Sequence, residues 1–137
     1  MLFRSDLEQI LRHPCSNVIS DSTYPTQGQL HPRVYGTFPR VLERYVRQRS
    51  ALTLPQAVAK MTSIPAGVLR LKQKGRIAVG MDADLNIFSL HNIKEMGSYA
   101  EPARYAQGMD WVLVRGVPAI AEGVWTGKAA GTVLTVL

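Results

Sequence analysis

The sequence is short of several things, and each shortage closes off a class of protein. It has one cysteine, Cys15, so no disulfide can form within the chain and nothing points to an oxidising compartment. It has no Cys-x-x-Cys and no His-x-His among its three histidines, so no local zinc motif is present. No window holds 18 consecutive apolar residues, which argues against a transmembrane helix. The first eleven residues carry Asp6 and Glu8 and no apolar run of signal-peptide length, so a cytoplasmic protein is expected. There is no internal repeat and no low-complexity tract. The net charge is +6, yet basic and aromatic residues do not interleave as they do in RNA-binding modules, so nucleic acid is a poor candidate partner.

What is present falls into two unlike parts. Asp6 to Arg12 reads as a short helix, with Leu7, Ile10 and Leu11 at helical spacing, and His13-Pro14 ends it. Asn17 to Asp21 is a brief apolar run closing on a carboxylate, the pattern of a buried parallel strand that delivers an acid at its end. Ser22 to Gly36 is a polar loop too elaborate for a plain connection. Pro39 to Arg49 is amphipathic: Phe38, Val41, Leu42, Tyr45 and Val46 share one face, while Arg40, Arg44 and Arg47 form what reads as a solvated stripe. Thr53-Leu54-Pro55-Gln56 is a capping box with proline in the first turn, so a helix is expected from Leu54 to Met61. Ser63-Ile64-Pro65 starts a third helix through Val68-Leu69.

After Gly75 the pattern turns to short apolar runs. Arg76 to Val79 and Leu85 to Phe88 flank a turn-rich stretch, and His91 to Gly108 is irregular. Trp111 to Val114 and Val117 to Ala121 flank Arg115-Gly116 as a tight hairpin. Thr132 to Leu137 is a candidate last strand. The expected division is a helical part, 1–74, and a β-rich part, 75–137.

Few residues declare chemistry by themselves. Asp21 suits a metal ligand or a general base, and equally a side chain that caps the next turn. Arg33 suits a bidentate clamp on a carboxylate, and equally a surface arginine. His13 and His31 read as structural or surface histidines, and Cys15 as a buried small hydrophobe.

The run His31-Pro32-Arg33-Val34-Tyr35-Gly36-Thr37-Phe38-Pro39-Arg40-Val41-Leu42 resembles the signature of D-aminoacylases, the N-acyl-D-amino-acid deacylases of the amidohydrolase superfamily. Met61 to Ala66, Lys74 to Leu85 and Val112 to Gly116 are similar to the same family. The resemblance implies an α+β piece: the last strand and helices of a metal-dependent (β/α)8 barrel, followed by the C-terminal part of a small β-sandwich domain. It implies Asp21 as the general base next to the metal-bound water, or a metal ligand itself, and Arg33 as the holder of the substrate carboxylate. It implies zinc as cofactor, held mostly by residues not in this chain, and an N-acyl-D-amino acid as substrate. On that reading the chain alone is inactive, and it self-associates or joins a missing N-terminal portion. The alternatives are a non-catalytic self-associating module and a complementing subunit of a split amidohydrolase. Arg115-Gly116 departs from the family's usual Asn-Gly, and Ser22 from the glycine that often follows the aspartate.

Overall fold

The computed structural model describes residues 4–24 and 28–134. Helix α1 is Arg4–Arg12, α2 is Arg33–Arg40, α3 is Leu54–Met61 and α4 is Ser63–Val68. A π-helical stretch, Val41–Gln48, continues α2 directly. Four strands follow: β1 Leu85–Phe88, β2 Met109–Val114, β3 Val117–Ala121 and β4 Val124–Trp125. They form one antiparallel meander in the order β1-β2-β3-β4.

The capping box forms as the sequence requires. Gln56 donates its backbone N–H to Thr53 Oγ1 at 3.3 Å, and Thr53 donates its own to Gln56 Oε1 at 2.9 Å. Two donors that a helix start leaves orphaned are thereby satisfied. The amphipathic helix begins earlier than expected, at Arg33, so all of the signature run after Pro32 is helical, including 33–36 that read as loop. Pro39 has no N–H to give the preceding turn, and just beyond it the helix widens: Arg49 N–H reaches the Arg44 carbonyl, five residues back, at 3.0 Å.

Two expected strands are absent. Asn17 to Asp21 is unpaired as a strand, although Val18 is buried and donates its N–H to the Lys60 carbonyl at 3.0 Å. A parallel strand exists only against neighbours, and the described residues supply none. Arg76 to Val79 is likewise no strand, with Ile77 and Val79 facing outward. Of the candidate last strand, 132–134 are irregular and 135–137 lie outside the described residues, as do 25–27 of the polar loop.

One apolar cluster serves both parts of the chain. Leu11, Val18, Val41, Leu42, Val46, Leu52 and Ala57 from the helical side enclose Ile93, which is 0% exposed. Phe88, Leu90 and Met109 pack on the same cluster. The arginine stripe is a correction to the solvated face expected. Arg47 Nη1 donates to the carbonyls of Leu90, His91 and Ile93 at 2.8, 2.7 and 2.7 Å, and Arg40 pairs with Glu95 at 2.7 Å. These cations fasten the segment after β1 to α2 and its π-helical continuation, with Glu43 accepting the Glu95 N–H at 2.8 Å.

The hairpin between β2 and β3 forms where expected. Arg115 and Gly116 both have positive φ, 51° and 78°, the twist that a two-residue hairpin turn needs. Asp84 braces it from outside: Oδ1 accepts the Arg115 N–H at 2.8 Å, while Oδ2 accepts from Lys74. The Lys74 hydrogen bond first, and the Arg115 N–H second, hold the Asp84 carboxyl below its ordinary 3.8. Lys74 is raised above its ordinary 10.5 by the hydrogen bonds it donates to Asp82 and then Asp84. A carboxyl lowered on folding stabilises the fold fully above its unfolded value and loses that contribution as pH falls through the folded one. Stability should therefore decline below about pH 4, and Asp84→Asn should flatten that decline while lowering stability at pH 7 by about 1 kcal/mol. Urea unfolding at stepped pH measures both.

Candidate functional site

The polar loop and the start of α2 bring the two sequence-predicted residues together. Asp21 ends the unpaired segment with φ 46°, a left-handed conformation that aspartate tolerates better than most residues other than glycine. Its side chain is largely exposed, at 71%. Arg33 opens α2, and its Nη1 lies 3.1 Å from Asp21 Oδ2. Arg33 Nε is buried and has no hydrogen-bond partner. A buried donor left without an acceptor is costly, so the guanidinium sits half-satisfied beside the carboxylate.

The turn that carries Arg33 is fixed from its own side chains and from the far part of the chain. His31 Nδ1 accepts the Arg33 N–H at 3.0 Å, and Thr37 Oγ1 donates to the Arg33 carbonyl at 2.8 Å. Tyr99 lies edge-on to the His31 ring, with centroids 5.3 Å apart, and its hydroxyl is 3.3 Å from Nε2. Gln29 donates to the Tyr99 carbonyl. Gly36 of the signature run is buried against Glu95, whose Oε1 would lie 2.5 Å from an added Cβ. A cavity of about 360 Å³ opens between these pieces, lined by His31, Arg33, Arg40, Glu95 and Tyr99 among others. Farther along the loop, a hydrogen bond with Tyr24 raises the Tyr35 hydroxyl above its ordinary 10.0, and Tyr105 stacks edge-on against Tyr35.

Other candidates do not join this site. Cys15 is exposed rather than buried, lining an open apolar depression with Ile10 and His13. The apolar cluster is closed by Leu11 and Val18 on either side of it in sequence, which leaves the thiol outside. His13 uses its Nδ1 to accept the Cys15 N–H at 3.2 Å, a structural role. Among the described residues no three His, Cys, Asp or Glu side chains group in a way that would hold a metal ion. Asp21 offers at most one acidic ligand, so the residues present do not fit a zinc site by themselves. No described helix is long and apolar enough to cross a membrane.

Sequence reasoning found Asp21 and Arg33 but passed over Tyr99 and Glu95. Neither sits in a motif; only the fold carries them to α2 from residues 55 or more away in sequence.

Residues 8–120 match the Amidohydrolase family. The chain belongs to that family. It is 41% identical over 112 residues to an N-acyl-D-glutamate deacylase of Alcaligenes xylosoxydans xylosoxydans, covering 82% of this chain and 23% of that protein. Among solved structures it resembles the crystal structure of a D-aminoacylase, with a TM-score of 0.85 and 32% identity over 93% of this chain and 27% of that one. It also resembles the N-acyl-D-glutamate deacylase from Bordetella bronchiseptica complexed with zinc and a phosphonate inhibitor, with a TM-score of 0.81 and 36% identity over 89% and 26%. This amidohydrolase therefore spans about a quarter of the length of the relatives it matches. The resemblance drawn from the His-Pro-Arg run is borne out, and the α+β piece has the D-aminoacylase fold.

Proposed function

We propose that this amidohydrolase chain is the C-terminal part of an N-acyl-D-amino-acid deacylase, which hydrolyses the amide of an N-acyl-D-amino acid to a carboxylate and a free D-amino acid. Residues 1–74 are then the closing part of the barrel and 75–137 the C-terminal part of the β domain. The observation that carries the reading is the contact of Asp21 with Arg33, 3.1 Å apart, with Arg33 lining a cavity and its Nε buried and unpartnered.

Each residue has a task that its chemistry suits. Arg33 offers a planar fork of donors, and a substrate carboxylate would satisfy the Nε that the fold leaves empty. A clamp of that kind holds the α-carboxylate in one direction, so the acyl group of only one stereoisomer points toward Asp21. Asp21, exposed at the end of its segment, can take the proton of an attacking water at one Oδ and return it to the leaving nitrogen. The described residues do not make a zinc site by themselves, so Asp21 would meet the metal directly or through its bound water, the remaining ligands would come from protein outside this chain, and the chain is inactive alone. Ile10, Ile19, Val68 and Leu69 are exposed, which supports further protein packing on the helical part, from the same polypeptide or a separate subunit.

The test is hydrolysis of N-acetyl-D-glutamate and its L isomer with added zinc. The 137-residue chain alone should show no turnover. A chimera in which it replaces the matching quarter of an N-acyl-D-glutamate deacylase should be active and D-selective. Turnover by the chain alone would overturn its assigned dependence on other protein. A folded chimera that hydrolyses neither isomer would overturn the deacylase reading.

A further inference from the structure

The chain contains the tripeptide His-Pro-X twice, at His13-Pro14-Cys15 and His31-Pro32-Arg33. Both make the same turn, in which the ring Nδ1 accepts the N–H of the second residue on, at 3.2 Å in the first and 3.0 Å in the second. Such short side-chain-to-backbone bonds hold a turn much as an Asx turn does. The geometry demands a lone pair on Nδ1. A neutral imidazole that accepts at Nδ1 carries its proton on Nε2.

The two turns differ in what faces Nε2. At His31 the Tyr99 hydroxyl lies 3.3 Å away, delivered by a segment that is itself tied down. Gln29 holds the Tyr99 carbonyl, Glu95 is held by Arg40 and Glu43, and Gly97 lies against Pro32, so that an added Cβ would stand 3.6 Å from the Pro32 Cβ. At His13 no hydroxyl is bonded to Nε2 among the described residues. The Arg33 N–H can only donate, so it sets the His31 tautomer, and Nε2–H then points at the Tyr99 oxygen, which accepts and holds the ring in place.

We propose that Tyr99 and His31 are positioning residues for Arg33: the β-rich part of the chain reaches across, holds the His31 ring in place and so fixes where α2 starts and where the guanidinium points. This deepens the clamp reading of Arg33 and rests on it for its functional meaning. Neither residue is assigned a contact with the reacting atoms.

Nitrogen NMR of the 137-residue chain tests it without any activity. Both His31 and His13 should show the Nε2–H tautomer, because each Nδ1 accepts a backbone N–H. Tyr99→Phe keeps the ring contact and removes the hydroxyl; it should loosen the His31 ring and speed exchange of the Arg33 amide about five-fold, with the β2–β3 hairpin amides unchanged. His31→Asn supplies an acceptor to the Arg33 N–H that has no ring for Tyr99 to hold. In that background Tyr99→Phe should leave Arg33 exchange unaltered. Nδ1–H at His31 in the parent chain, or equal effects of Tyr99→Phe with and without His31→Asn, would overturn the proposal. Titration with N-acetyl-D-glutamate, followed at the Arg33 Nε–H signal of the active chimera, checks the clamp separately. A silent signal there with the coupling intact removes the clamp reading and still supports the positioning.

Discussion

Asp21→Asn in the active chimera is expected to lower kcat by about 10³-fold while leaving KM within a few-fold. Asparagine keeps the size of the side chain and an oxygen for Arg33 Nη1, 3.1 Å from the carboxylate, but it cannot carry a proton. The loss therefore falls on the step that moves one. Arg33→Lys should behave in the opposite way. Lysine keeps a charge near Asp21 but replaces a planar fork by a point donor, so KM should rise about 10- to 100-fold and the D over L preference should shrink. The two variants separate the roles because they act on different kinetic constants. If Asp21→Asn raised KM and spared kcat, Asp21 would be a binding residue and the proton role would fail. If Arg33→Lys left stereoselectivity intact, the carboxylate clamp would lie elsewhere. Steady-state kinetics on both N-acetylglutamate isomers reads all of this in one experiment.

The features legible in the sequence are those whose cause is local. Thr53 and Gln56 satisfy each other across three residues, and the box formed with its proline in the first turn. Arg115-Gly116 sits between two apolar runs and takes the positive φ angles of a hairpin turn. The features that were misread depend on partners distant in sequence. Asn17 to Asp21 has the composition of a buried strand, but pairing is a relation between segments, and Ile19 stays exposed. Arg47 reads as a surface cation because its three acceptors are backbone carbonyls 43 to 46 residues on, which composition does not mark. The candidate site divides in the same way. Asp21 stands out as the carboxylate closing the apolar run from Asn17 and Arg33 from the signature run, while their contact, and the approach of Tyr99 to His31, come only from folding the chain back on itself.

Lys60 shows how that folding reaches the site, and its removal should have the largest effect on stability. It is 5% exposed on α3, and its ammonium donates to the His13 carbonyl at 2.7 Å, the Ser16 carbonyl at 2.8 Å and Ser16 Oγ at 2.9 Å. An ammonium has three protons, so all three are used. The same lysine's carbonyl accepts the Val18 N–H, and three residues after Val18 the chain reaches Asp21. Lys60→Met keeps the apolar stem and takes a charged donor from three part-buried oxygens, which should cost about 2 kcal/mol by urea unfolding. Lys60→Arg should recover only part of this, because a planar guanidinium cannot match three oxygens arranged around a tetrahedral nitrogen. In the chimera Lys60→Met should also lower kcat, through a displaced Asp21, at temperatures where the protein remains folded. A stability loss under about 1 kcal/mol would mean that water replaces the ammonium at no cost. Asp21 would then owe its position to the loop it opens rather than to α3.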